Sequence, residues 1–258
     1  MKRWFALLLL APALLFAQSP FDGTWMTKLD TAQFPKKPDR YLLSEGMYEC
    51  SSCVPKFNVK ADGTDQKVTG HPYYDSVVIK IVDDHSLEIT QKKDGKTMGT
   101  ATHTISEDGS TLTTKFVDLT EDKPVTGEVT STRVSKGPSG SHAISGSWRT
   151  TKVNSVSDNG LTLTFEGTAD GLKMSDLNGE SYDAKFDDKD YPVQGDPGHT
   201  MVSLKRIGND TIEETDKRDG KVVGISKMTV SPDGEWITVE YTNTERGTTT
   251  TYKMQKKS

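Results

Sequence analysis

The chain has 258 residues, of which 33% are hydrophobic and 27% charged, with a formal net charge of −5. An acidic chain without clustered Lys and Arg is unsuited to nucleic acid, whose recognition requires phosphate neutralisation. Low hydrophobicity, together with Thr, Ser, Asp and Gly spread between short apolar runs, excludes a helical membrane protein and favours a turn-rich β chain.

Lys2 and Arg3 precede an apolar run from Trp4 to Phe16, interrupted by Pro12 and followed by Ala17, Gln18 and Ser19. This is the pattern of a secretory signal peptide, expected over residues 1–17 with cleavage after Ala17. Cleavage would take the formal charge from −5 to −7 and deliver the mature chain to a periplasmic or extracellular space. No Cys follows the cut, so a lipid-modified N-terminal Cys is not expected, and no second long apolar stretch predicts a membrane span.

Alternating apolar residues then predict strands at Gly23–Leu29, Tyr41–Glu49, Lys56–Lys60, Ser76–Val82, Ser86–Lys92, Thr97–Ile105, Thr111–Phe116 and Glu128–Val134. Beyond Lys136 they resume at Gly146–Lys152, Leu161–Thr168, Leu172–Asp176, Ser181–Phe186, Met201–Ile207, Thr211–Thr215, Val222–Val230, Trp236–Thr242 and Thr248–Gln255. Asp94-Gly95 and Asp219-Gly220 read as tight hairpin turns, as do Asp108-Gly109 and Asp233-Gly234. Val77, Ile79 and Ile81 share one face of their strand, as do Val202, Leu204 and Arg206 of the corresponding one, and these faces are expected to point inward.

The two strand series are copies. Phe21-Asp22-Gly23-Thr24-Trp25 recurs as Ile144-Ser145-Gly146-Ser147-Trp148 at an offset of 123 residues. Thr69-Gly70-His71-Pro72 matches Gln194-Gly195-Asp196-Pro197, and Asp94-Gly95-Lys96 matches Asp219-Gly220-Lys221, both at an offset of 125. A sustained offset indicates tandem duplication. The domains expected are a first β-barrel repeat over 18–136, a Gly/Pro/Ser linker over 137–143 and a second repeat over 144–258. The fold class is all-β, with two tandem antiparallel up-and-down barrels whose closure removes exposed strand edges.

Gly23-Thr24-Trp25 and Gly146-Ser147-Trp148, each opening a meander, resemble the start of the lipocalin and fatty-acid-binding-protein barrels. The resemblance implies that Trp25 and Trp148 plug the closed ends and that a late-strand cation packs across each. Arg133 matches that cation in the first copy and Lys253 in the second. The Ala-Asp-Gly and Asp-Gly-Lys hairpins also look like those of bacterial secreted proteins of unknown function, which implies no activity.

Cys50-Ser51-Ser52-Cys53 reads foremost as a disulfide in an oxidising compartment, with a redox-active pair or a metal site as alternatives. Val54 stands where haem attachment needs His, and no second Cys pair supports a zinc site. His71, His85, His103, His142 and His199 lack paired-ligand spacing and read as ordinary residues. Asp83-Asp84 and Asp187-Asp188-Lys189-Asp190 read as solvated turns. Neither a nucleophile elbow nor a phosphate-cradling loop is present. No catalytic residue, metal or cofactor is therefore expected.

The leading expectation is an exported, lipocalin-like, non-enzymatic protein binding a small hydrophobic ligand. Phe57, Val59, Val77 and Ile79 are the lining candidates in the first copy, and Tyr182, Ala184, Val202 and Leu204 in the second. The alternative is an envelope or extracellular interaction module with filled barrels.

Overall fold

The hairpin turns set the architecture. Asp94 and Gly95 take φ of 51° and 77°, and Asp219 and Gly220 take 49° and 73°, the left-handed pair that matches a two-residue connection to the twist of its strands. The computed structural model describes residues 19–257; the expected signal peptide at 1–17 lies outside them. The first ten strands are β1 (Gly23–Gln33), β2 (Asp39–Ser44), β3 (Met47–Cys50), β4 (Phe57–Lys60), β5 (Gln66–Lys67), β6 (Ser76–Asp83), β7 (Ser86–Lys93), β8 (Lys96–Ile105), β9 (Thr111–Asp118) and β10 (Val125–Lys136). The second ten are β11 (Gly146–Val156), β12 (Thr162–Gly167), β13 (Gly171–Asp176), β14 (Ser181–Lys185), β15 (Tyr191–Pro192), β16 (Met201–Arg206), β17 (Thr211–Arg218), β18 (Lys221–Val230), β19 (Trp236–Asn243) and β20 (Thr248–Lys256).

They form two nearly closed antiparallel sheets of ten strands each, the all-β barrel-like class expected. The boundary between repeats does not separate the sheets. The first barrel runs β4-β3-β2-β11-β10-β9-β8-β7-β6-β5, and the second runs β14-β13-β12-β1-β20-β19-β18-β17-β16-β15. Each copy therefore donates its opening strand to the other. β1 pairs with β12 through Thr24↔Thr164 and with β20 through Met26↔Gln255. β11 pairs with β10 through Arg133↔Trp148 and with β2 through Ser147↔Arg40. The chain crosses between barrels at residues 34–38 and returns at 157–161. The Gly/Pro/Ser segment at 137–143 joins adjacent strands of one sheet, where Gly137 N–H donates to Ser145 O and His142 N–H to Leu43 O. An Arg246–Asp39 ion pair of 2.6 Å further ties the β19–β20 turn to β2.

The exchange re-partners the barrel plugs. Trp25 and Trp148 are fully buried and donate their indole N–H to Phe21 O (2.8 Å) and Ile144 O (2.7 Å), respectively. Arg133 lies 3.9 Å from the ring of Trp148, not over Trp25. Its guanidinium also donates to Ser145 O and Ala143 O at 2.7 and 2.6 Å, and to Gly109 O. Over Trp25 the cation is Lys256, with Nζ 5.3 Å from the ring. Lys253 faces solvent, because Met254 on its strand points into the core and strand parity turns Lys253 outward. The Gly of the opening motif is required by close approach: a Cβ on Gly146 would meet Ser135 O at 2.2 Å.

Two further expectations are corrected. The stretch Tyr41–Glu49 is not one strand but the hairpin β2–β3, turning at Glu45 and Gly46, both with positive φ. Ile81 is 43% exposed although Val77 and Ile79 are buried; it lies near the end of β6, where the register with β7 shifts between Ile81 and Asp83. Arg206, at the corresponding place, also lies outside and stacks 4.3 Å from the Phe186 ring.

Candidate ligand-binding site

The first barrel is filled at its plugged end and open beyond it. Leu43, Ile79, Leu87, Ile105, Leu112, Ile144 and Trp148 pack the closed end. Along β8 the inward positions run Ile105, His103, Ala101 and Gly99, so side-chain volume falls away from the plug. A chamber of about 490 Å³ results, of the size that holds a small organic molecule. Its walls carry Tyr41, Tyr48, Phe57, Tyr73, Tyr74 and Phe116, with Val77 and Ile89 between them.

Within this wall, His103 is buried and hydrogen-bonds through Nδ1 to the Thr114 hydroxyl at 3.0 Å. Burial lowers its pKa to about 4, so it lines the chamber as a neutral imidazole. Tyr41 stacks on Tyr48 at 6.2 Å, and burial drives both phenol pKa values upward. His71 stacks on Tyr74 at 4.4 Å and meets the edge of Phe57 at 5.8 Å. The Cys50–Cys53 disulfide is formed, and Cys53 contributes to the wall.

The second barrel carries the same strands with different inward residues. At the offset of 125, Ile89 and Gln91 become Glu214 and Asp216, and His103 becomes Met228. Its chamber is about 250 Å³ and is lined by Glu180, Asp196, Glu214, Asp216, Arg218 and Glu245 among others. Tyr182 donates its hydroxyl proton to Glu214. Burial, then the Asp216 charge, pushes the Glu214 pKa up to about 8. Asp196 is committed to its own loop, accepting from Gly198 N–H at 2.8 Å and Thr200 N–H at 2.7 Å.

The two chambers meet at Glu180, which lines both. Beside it, Arg218 donates to the Tyr73 hydroxyl at 2.7 Å and to the Thr200 hydroxyl at 2.9 Å. Carboxylate oxygens of Glu121, Asp176 and Glu180 lie within 4.8 Å of one another at the mouth of the first chamber. Asp176 accepts the backbone N–H groups of Asn178, Gly179 and Glu180, fixing the β13–β14 turn.

Of the eight lining candidates, Phe57 and Val77 line the first chamber and Tyr182 the second. Val59 and Ile79 lie in the first core, and Ala184, Val202 and Leu204 in the second. Apart from Phe57, the aromatic wall is not among the expected lining residues, and neither are His103 and the mouth carboxylates. The inward positions of β7 and β8, compared between copies, carry the signal that finds them: the repeats agree at the plug and diverge in polarity away from it. The chain matches no protein-family model and no curated protein.

Proposed function

We propose that the protein is an exported, lipocalin-like binding protein that holds a small hydrophobic molecule in the first barrel. The observation that carries this reading is the 490 Å³ chamber walled by Tyr, Phe and His rings. Aromatic walls offer large apolar area and preferred faces for a flat ligand. Export is supported by the signal-like segment before Gln18 and by the disulfide. Among the described residues no helix is long and apolar enough to cross a membrane.

The test is native mass spectrometry of protein purified from an exporting host, with organic extraction of bound material. A co-purifying small molecule is expected. Ala101→Trp, which fills the chamber between Ile89 and Phe116, is expected to abolish its retention while far-UV circular dichroism stays unchanged. A clean apo mass, with no thermal stabilisation by a panel of lipids and planar aromatics, would contradict the proposal.

A further inference from the structure

The mouth of the first chamber differs in charge from its walls. Glu121 and Glu180 both line it, reached from the β9–β10 turn of one copy and the β13–β14 turn of the other. Glu121 Oε2 is buried without a hydrogen-bond partner. The charges acting most on Glu121 are those of Glu180, Asp176 and Asp118, all of one sign. The Arg218 charge acts on Glu180, while its guanidinium hydrogen-bonds to the Tyr73 and Thr200 hydroxyls rather than to a carboxylate. The chamber therefore combines π faces with carboxylates that form no salt bridge among the described residues, Arg218 acting on Glu180 without pairing with it, and both features attract a positive group.

Building on the binding function proposed above, we propose that the ligand is an amphipathic organic cation, its flat apolar body among the Tyr and Phe rings and its ammonium group against Glu121 and Glu180. A charge at this half-enclosed mouth interacts more strongly than in bulk water, because the effective dielectric constant is lower. Burial, then repulsion from neighbouring carboxylates (Glu180 and Asp176 for Glu121, Asp196 and Asp176 for Glu180), raises the pKa of both Glu121 and Glu180 to about 7. An arriving ammonium group displaces the protons they hold. Asp118, Asp176 and Asp196 oppose ionisation of this pair, and Arg218 favours that of Glu180, so affinity is expected to rise between about pH 6 and about pH 8.

Isothermal titration of the mature chain with tryptamine, 3-ethylindole and indole-3-propionate separates charge from shape. Tryptamine is expected to bind roughly tenfold more tightly than neutral 3-ethylindole, a gain of about 1.4 kcal/mol, and indole-3-propionate least. Glu121→Gln/Glu180→Gln is expected to remove the advantage of tryptamine over 3-ethylindole. Glu121→Gln alone, expected to lose part of the advantage, serves if the double variant does not fold. Equal binding of tryptamine and 3-ethylindole would overturn the charge preference and leave the apolar lumen standing. A tryptamine advantage that survives the substitutions would overturn the assignment to these carboxylates, and failure of tryptamine to bind would overturn the inference outright. Only failure of the indoles together with the lipid and aromatic panel would remove the binding function as well.

Discussion

Trp148→Ala is expected to lower unfolding free energy by about 3–5 kcal/mol, the range for removing a buried aromatic, read as a shift in urea midpoint. The side chain is 1% exposed and packs with Leu43, Tyr48, Ile79 and Ile144. Its loss opens a cavity at the plug, leaves Ile144 O without its donor and strips Arg133 of the ring it stacks on. Although Trp148 belongs by sequence to the second copy, the damage should fall on the first barrel. Hydrogen exchange in the variant is therefore expected to accelerate first in β2–β10. Acceleration confined to β12–β20 would mean that Trp148 plugs the barrel of its own copy.

Stability is expected to fall as pH rises from about 6.5 to about 8, with Glu214 the largest contributor; below about pH 6.5 buried His103, whose pKa falls to about 4, acts in the opposite direction. Its ordinary pKa is 4.5, and in the folded chain it rises to about 8. Below the ordinary value the carboxyl is protonated in both states. Above it the unfolded chain ionises while the folded chain retains the proton, so each step upward favours unfolding until the folded pKa is passed. Asp216, also raised by burial, adds in the same direction, as do Glu180 and Glu121. Around Glu214 the second chamber presents Tyr182, Asp216, Arg218, Asp196, Tyr241 and Glu245, with one guanidinium among several carboxylates. Glu214→Gln keeps an acceptor for the Tyr182 hydroxyl and removes the ionisation. It is expected to stabilise the protein at pH 8 by roughly 1–3 kcal/mol and to flatten the pH slope, measured by urea unfolding across the range. An unchanged slope would place the titration elsewhere.

Strand positions, the duplication and the hairpin turns were legible because they rest on local chemistry: alternation for the strands, and Asp-Gly pairs for the left-handed turns. The β2–β3 turn escaped notice because it places Glu45 at φ 53°, where Asn or Asp is the usual signal. Apolar alternation does not locate the exposed Ile81, because it continues along β6 past Ile79, its last buried position. Strand exchange was illegible for a deeper reason. Gly23-Thr24-Trp25 and Gly146-Ser147-Trp148 are near-equivalent, so either opening strand satisfies either barrel's pattern, and only three-dimensional connection geometry chooses between them. The candidate site was hidden for a related reason. Tyr41, Tyr73, His103, Glu121 and Glu180 come from separate strands and turns, and Glu180 reaches the first chamber from the other copy.

The reciprocal exchange of β1 and β11 creates both plugs and brings the turns of the two copies to a shared mouth, and engineered disulfides test it most directly. Thr24 and Thr164 face each other across β1 and β12 with their hydroxyl oxygens 3.0 Å apart, close enough for paired cysteines to bond. Thr24→Cys/Thr164→Cys is predicted to form an intramolecular crosslink in the monomer, detected by peptide mapping without reduction. Thr24→Cys/Arg40→Cys, the pairing that the unexchanged arrangement would create by analogy with Ser147↔Arg40, is predicted to remain reduced. Crosslinking of the second pair and not the first would contradict the exchange.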